Sequence, residues 1–217
     1  MLGKNLIQAA SGAGGGLPEI GYFYQGGYFA GYISHTADGI ATHGLIVAPK
    51  ASGYNGLSTL QWKTSTSATS GTYSTYDGAA NTANMTNTSH PAANYCAGLS
   101  IGGYSDWYLP ARYELGIAYY NLKPTTTSNT TGDGDNDYAV PPRSSDYTTG
   151  DPAQTSVAAF QSGGAEAFVA DDHWSSSQTN FGVNETRGRA VNFSDGDESR
   201  DVKTNSYYVR AFRRFAL

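Results

Sequence analysis

The sequence predicts a single α+β domain made of small antiparallel sheets, few helices and long loops. Three observations lead there. Stretches in which aromatic or β-branched residues alternate with small ones lie near both ends, helical spacing is confined to the middle, and 27 Gly, 17 Tyr, 8 Phe and 3 Trp stand beside only 14% charged residues. Period two marks strands and period 3.6 marks helices. A chain rich in glycine and rings but poor in charge reads as a loop-rich globule rather than a helical bundle or a disordered chain. At 217 residues, one domain with appendages is the natural division.

Residues 1–20 read as a leader peptide and linker, with the small residues Ala10 to Gly16 giving flexibility. Residues 21–217 form the domain. GYFYQGGYFAGYISHT, from Gly21, alternates as an opening β-hairpin does, and HGLIVAPK, His43 to Lys50, reads as a short buried strand. Ala79 to Leu99 holds one helix or two pieces, since Pro91 interrupts a continuous one. After Pro110 a better helix follows, with Leu115, Ala118, Tyr119 and Leu122 at helical spacing, and Pro124 stops it. The run from about 124 to 150 is an insertion of Thr, Ser, Asn, Asp and Pro, either functional or poorly ordered. Beyond it VAAF, AFVA, HWSSS, AVNF and YYVRAFRRF read as strands of one antiparallel sheet, with turns at Gly182, Gly188 and Asp195-Gly196.

Composition excludes several functions. A net charge of −5 with a single short basic cluster, Arg210, Arg213 and Arg214, argues against nucleic acid as a partner, because phosphate binding needs clustered Lys and Arg. Cys96 is alone, so an intrachain disulfide, a cysteine zinc site and a redox pair are all excluded. No long apolar run or Ala-x-Ala signal appears, so neither membrane insertion nor standard export is expected.

GGYSDWYLPARYEL, residues 102 to 115, resembles the Lcl C-terminal domain family, named for the terminal domains of bacterial collagen-like adhesins. Pieces in the family order extend the likeness: GGYFAGY near the start, HGLIVAP at 43 to 49, LQW at 60 to 62, GAANTANM at 78 to 85, YNL at 120 to 122, HWSSSQ at 173 to 178, AVNFSDG at 190 to 196 and YYVRAFRRF at 207 to 215. The resemblance implies a C-type-lectin-like fold: two helices beside small antiparallel sheets, with the first and last strands brought together. It further implies a relation to the variable proteins of diversity-generating retroelements and to phage tropism proteins, whose last strands and loops form the exposed binding face. The 124–150 insertion and the glycine-rich leader depart from a bare family domain, and the leader resembles those that dock structural proteins to tailed-phage particles.

Catalysis is not expected. None of His35, His43, His90 and His173 sits in a nucleophile motif, and His43 and His173 read as satisfied structural histidines. Formylglycine-generating enzymes share the implied fold but use paired cysteines, which one Cys cannot supply. Trp62, Trp107 and Trp174 read as core anchors, Asp106 as a group bonding nearby backbone amides, and Ser175 to Ser177 as partners of buried backbone. Asp133, Asp135 and Asp137 alternate as the start of a calcium loop would, yet the position nine after Asp135 is Ser144 rather than Glu. A solvated acidic turn without cofactor is the favoured reading, with calcium as the minority one.

The candidate ligand-binding residues lie between the last strand motifs: Asn180, Phe181, Asn184, Glu185, Arg187, Asn192, Asp195, Asp197, Glu198, Arg200 and Asn205, with Arg189 among them. Mixed polar and aromatic side chains suit adaptable recognition. The expected function is an exposed phage virion appendage, such as a tail-fibre tip, that binds a host-surface receptor, glycan or protein, as a homo-oligomer docked to other virion proteins through the leader. A capsid or tail decoration protein is the alternative, and a bacterial surface adhesin the third. Two expectations test the frame: the terminal strand pairs near the opening hairpin with Tyr207, Val209, Ala211, Arg213 and Phe215 on one face, and Ala at Asn184 or Asn192 leaves stability unchanged.

Overall fold

The computed structural model describes residues 18–179 and 185–217. Residues 1–17 of the leader, Gly182 and the candidate residues Asn180, Phe181 and Asn184 lie outside the described residues. The folded body begins before Gly21, because Ile20, assigned to the leader, packs against both cores. The opening hairpin forms as the alternation predicts: β1 (Phe23–Tyr24) runs antiparallel to β2 (Gly27–Ile33). Gln25 and Gly26 join them with φ of 49° and 86°. Two left-handed residues in a two-residue loop match the twist of the strands, and glycine takes that conformation without strain.

β3 (His43–Val47) pairs with the other edge of β2, and β10 (Phe212–Ala216) pairs with β3. The end of the chain therefore reaches the opening sheet, but β3 stands between it and the hairpin. β5 (Ala139–Val140), from within the 124–150 run, adds to the far end of β2. β4 (Leu60–Gln61) and β9 (Ser206–Tyr207) make a second, two-stranded sheet. A third joins β6 (Asp172–Gln178), β7 (Arg187–Asn192) and β8 (Arg200–Val202), all antiparallel.

Three expectations at the C-terminal end need correction. VAAF is a 3-10 turn over Ala158–Phe160 and AFVA is not a strand. Gly188 sits inside β7 rather than at a turn, while the turn at Asp195-Gly196 is present, closed by hydrogen bonds between Asn192 and both Gly196 and Asp197. YYVRAFRRF is divided between β9 and β10, which belong to different sheets. The alternation nonetheless sorts its side chains. Tyr207, Val209, Ala211 and Phe215 pack in one core with Trp62, Trp107 and Trp174, whereas Tyr208 and Phe212 pack in another with Leu115, Tyr119 and Phe193. A segment lying between two cores has both faces covered, and periodicity cannot tell that from one sheet strand with mixed faces.

The helices are α1 (Lys50–Gly53), α2 (Gly78–Ala83), α3 (Pro91–Ala97) and α4 (Arg112–Leu122). Pro91 does divide the Ala79–Leu99 segment, and it does so by opening α3 in the first turn, where its missing N–H costs nothing. Leu115, Ala118, Tyr119 and Leu122 of α4 are all buried. Glu114, fully buried, accepts hydrogen bonds from the amides of Ala111 at 2.7 Å and Gly78 at 3.1 Å and from the Tyr108 hydroxyl at 2.7 Å. It thereby satisfies donors at the starts of two helices at once. Burial pushes its carboxyl up to about 7.

The 124–150 run is part of the folded body. Asn129 and Asn136 are buried in it, and so is Tyr147, which packs on Tyr119 of α4. The Asn129 amide oxygen accepts from the Tyr119 hydroxyl at 2.5 Å and from Lys123 Nζ at 2.5 Å, while Asn136 donates to the Tyr113 carbonyl at 3.0 Å.

Candidate functional site

All three tryptophans are buried, each with its indole N–H used: Trp62 donates to the Ser175 carbonyl, Trp107 to that of Tyr104, and Trp174 to that of Leu60. They are anchors, as the sequence predicts. Trp62 and Trp174 meet one side of β7, where a Cβ built on Gly188 would lie 3.0 Å from Trp62 and 3.2 Å from Trp174. Any larger residue would press the two indoles back by a few tenths of an ångström. Ser175, Ser176 and Ser177 are fully buried and satisfy neighbouring groups, Ser175 donating to the Arg189 carbonyl and Ser177 to that of Ser74.

The other side of β7 carries Arg187 and Arg189, because side chains alternate along a strand. Arg200 of β8 lies directly opposite Arg189 in the register. Arg187 Nη1 donates to the Arg200 carbonyl at 3.0 Å, and Arg200 itself is exposed. Burial pulls the Arg189 guanidinium down, and the neighbouring Arg112 and Arg200 add to the shift. Arg112, in the first turn of α4, pairs with Glu198 and lies 4.9 Å over the ring of Tyr113. Tyr113 stacks on Tyr138 at 5.5 Å, and Tyr138 on Tyr76 at 4.3 Å with the rings only 9° apart. A ridge of arginines thus continues into a column of half-buried tyrosines.

The sequence-predicted residues divide into three groups. Arg187 and Arg200 belong to this face, Arg200 being exposed. Asn205 is exposed too but lies at the other end of the sheet, where its carbonyl accepts from Trp174 Nε1 at 3.3 Å and its amide donates to the Tyr207 hydroxyl at 3.4 Å. Glu185 is half-buried and receives the Tyr73 hydroxyl at 3.3 Å. The remainder build the turn. Asn192 Oδ1 accepts from the Ser194 amide at 2.8 Å and its Nδ2 donates to Asp172 at 3.1 Å, while Asp195 accepts from the Asp197 amide at 3.2 Å. Glu198 differs most from expectation: its side chain is only 3% exposed and its partner is Arg112. Asn192 is scaffold, since both of its side-chain polar atoms are committed within the chain, and Glu198 is tied to Arg112 through Oε2. Asp106 is also corrected, for its two oxygens grip Arg213 at 2.8 and 2.9 Å rather than backbone amides.

Tyr76, Tyr113 and Tyr138 escaped sequence reasoning. They come from three distant segments with no shared spacing, and only the fold brings them together. The histidines follow prediction: His173, fully buried, has Nδ1 2.9 Å from the Asp171 carbonyl and Nε2 2.6 Å from the Tyr54 hydroxyl. A carbonyl only accepts, so Nδ1 carries the proton and Nε2 receives that of Tyr54. His43 meets Thr42 Oγ1 at 2.9 Å. Asp133 accepts from the Glu198 amide at 3.2 Å, while Asp135 and Asp137 are exposed. Among the described residues no group of three or more His, Cys, Asp or Glu is arranged to hold a metal ion, and no helix is long and apolar enough to cross a membrane.

No curated protein matches the chain. The family model of the Lcl C-terminal domain matches residues 54–213, a stretch that takes in α2, α3, α4, the third sheet and the arginine face but begins after the opening hairpin. Spanning well over half of its length, that match makes this chain a member of the Lcl C-terminal domain family.

Proposed function

We propose that the chain is a non-catalytic, adhesin-type binding domain of C-type-lectin-like fold, carried on an exposed phage virion appendage such as a tail-fibre tip, where it holds a host-surface receptor. The observation that carries this reading is the division of labour across β7. One side packs at Gly188 against Trp62 and Trp174, and the other carries Arg187 and Arg189 beside the exposed Arg200. Rigid support behind adaptable polar side chains is how a binding surface limits the entropy lost on contact. Membership in a family named for adhesin domains supports the same conclusion. The glycine-rich leader suits attachment to a particle, and multivalent display as a homo-oligomer strengthens weak contacts.

Binding needs no metal on this reading. Chelation with EDTA leaves the melting temperature unchanged, and a fall would bring back calcium at Asp133, Asp135 and Asp137. The purified chain at micromolar concentration blocks adsorption of the phage to susceptible cells. Arg200→Ala reduces that competition without lowering the melting temperature. Full competition by this variant would remove this face from the function.

A further inference from the structure

Away from the β7 face, Tyr120 of α4 and the loop from Arg143 to Asp151 line an open, shallow cleft of about 290 Å³. Arg143 lines it and is held in plane. Its Nε donates to the Gly134 carbonyl at 3.1 Å and its Nη2 to that of Gly116 at 3.4 Å, and the guanidinium lies 4.6 Å from the Tyr120 ring centre and 5.9 Å from that of Tyr147. Arg112, Arg210, Arg213 and Arg214 each meet a carboxylate. Among the described residues Arg143 meets none, and its Nη1 makes no hydrogen bond. Among the described residues the Asp151 carboxylate receives only the Tyr120 hydroxyl, at 3.4 and 3.5 Å, the weak end of hydrogen bonding. Asp146 and Thr148, also on the lining, are exposed.

We propose that this cleft binds one neutral sugar ring at the end of a glycan, with Arg143 and Asp151 as its principal contacts. The proposal rests on the reading of the chain as a receptor-binding domain and names a ligand class for a second surface of it. The lining carries one fixed cation and two carboxylates. An anionic ligand would meet Asp146 and Asp151, and a cationic one would meet Arg143. A sugar hydroxyl is donor and acceptor together, so neighbouring hydroxyls satisfy both kinds of group at once. Hydrogen bonds to charged partners are about twice as strong as neutral ones, which lets a few contacts hold a small ligand. Small-molecule sites run from roughly 300 to 1,000 Å³. A cleft at the bottom of that range takes a single ring, and the exposed loop leaves the rest of the glycan in solvent.

The test is saturation-transfer NMR on the full chain with the methyl glycosides of glucose, galactose, mannose and N-acetylglucosamine. At least one gives transfer, and Arg143→Gln and Asp151→Asn each weaken it about tenfold or more. Asp151→Asn keeps the size and exposure of the side chain, so it decides the matter alone if Arg143→Gln unfolds. The proposal is overturned if no neutral sugar gives transfer, if both variants bind as the parent does, or if sialic acid or a sulfated sugar is preferred. Cell attachment measured on the same proteins separates the two readings. Attachment without sugar transfer removes the cleft and leaves the binding function, whereas sugar transfer without attachment removes the function and leaves the cleft.

Discussion

Asn192 and Asn205 have the same side chain in the same segment, yet the fold uses them in opposite ways. Asn192 ties the turn after β7 to Asp172 and the Ser194 amide, so its replacement by Ala leaves two partners short. A loss of about 1–2 kcal/mol follows, read as a shift in the urea midpoint. Asn205→Ala, at an exposed position, stays within about 0.5 kcal/mol of the parent. Equal midpoints for the two variants would show that the Asn192 contacts hold nothing. The contacts of Asn192 weigh against the expectation that it is neutral, because composition marks a residue as polar but does not reveal whether the polar atoms are already used. The Tyr54 hydroxyl offers a sharper case: it receives the Val169 amide at 3.2 Å and donates to His173. Tyr54→Phe leaves a buried imidazole nitrogen and a backbone N–H unpaired, at a cost of about 1–3 kcal/mol in the same measurement.

At the scale of elements, the segment from Tyr207 to Phe215 closes the fold between two cores. Val209 is fully buried beside the tryptophans, so Val209→Asp places an unpaired carboxylate there and abolishes the cooperative melt in circular dichroism. A sharp transition within a few degrees of the parent would mean that this segment is peripheral. Elements set by local chemistry were legible in the sequence: the Gln25-Gly26 hairpin, the short β3, the helix after Pro110 and the division at Pro91. Elements set by distant contact were not. β5 is two residues long and exists because Val140 and Ala139 meet Tyr32 and Ile33 across more than a hundred residues of chain. Of the arginine face the sequence singled out Arg187, Arg189 and Arg200, and it overlooked the adjoining tyrosine column, since stacking of Tyr76, Tyr113 and Tyr138 is a property of the assembled body.

Across the whole molecule, the response to acid turns on buried imidazoles held neutral and on buried carboxyls raised above their ordinary range. Burial drives His173 down to about 3, and it drives His35 and His90 down to about 4, helped at His35 by Arg214 and His43 and at His90 by Lys63 and Lys203. In the unfolded chain these imidazoles take protons near their ordinary 6.5. Between pH 6.5 and about 4 the unfolded state therefore binds more protons, and stability falls as pH falls. Glu114 works in the opposite direction. Raised to about 7 from an ordinary 4.5, it holds its proton in the folded state after the unfolded chain has lost it, so its contribution is full below 4.5 and is lost as pH rises through 7. Burial also raises Asp172, Asp197 and Glu198, which act on the same side as Glu114. The three imidazoles take their protons in the unfolded chain near 6.5, inside the window, and the melting temperature drops from pH 7 to pH 5. Glu114→Gln removes one opposing group while keeping an acceptor for the Ala111 and Gly78 amides, and the decline steepens. A melting temperature that rises on acidification, or a slope unchanged in Glu114→Gln, would show that these buried groups do not control the acid stability of the fold.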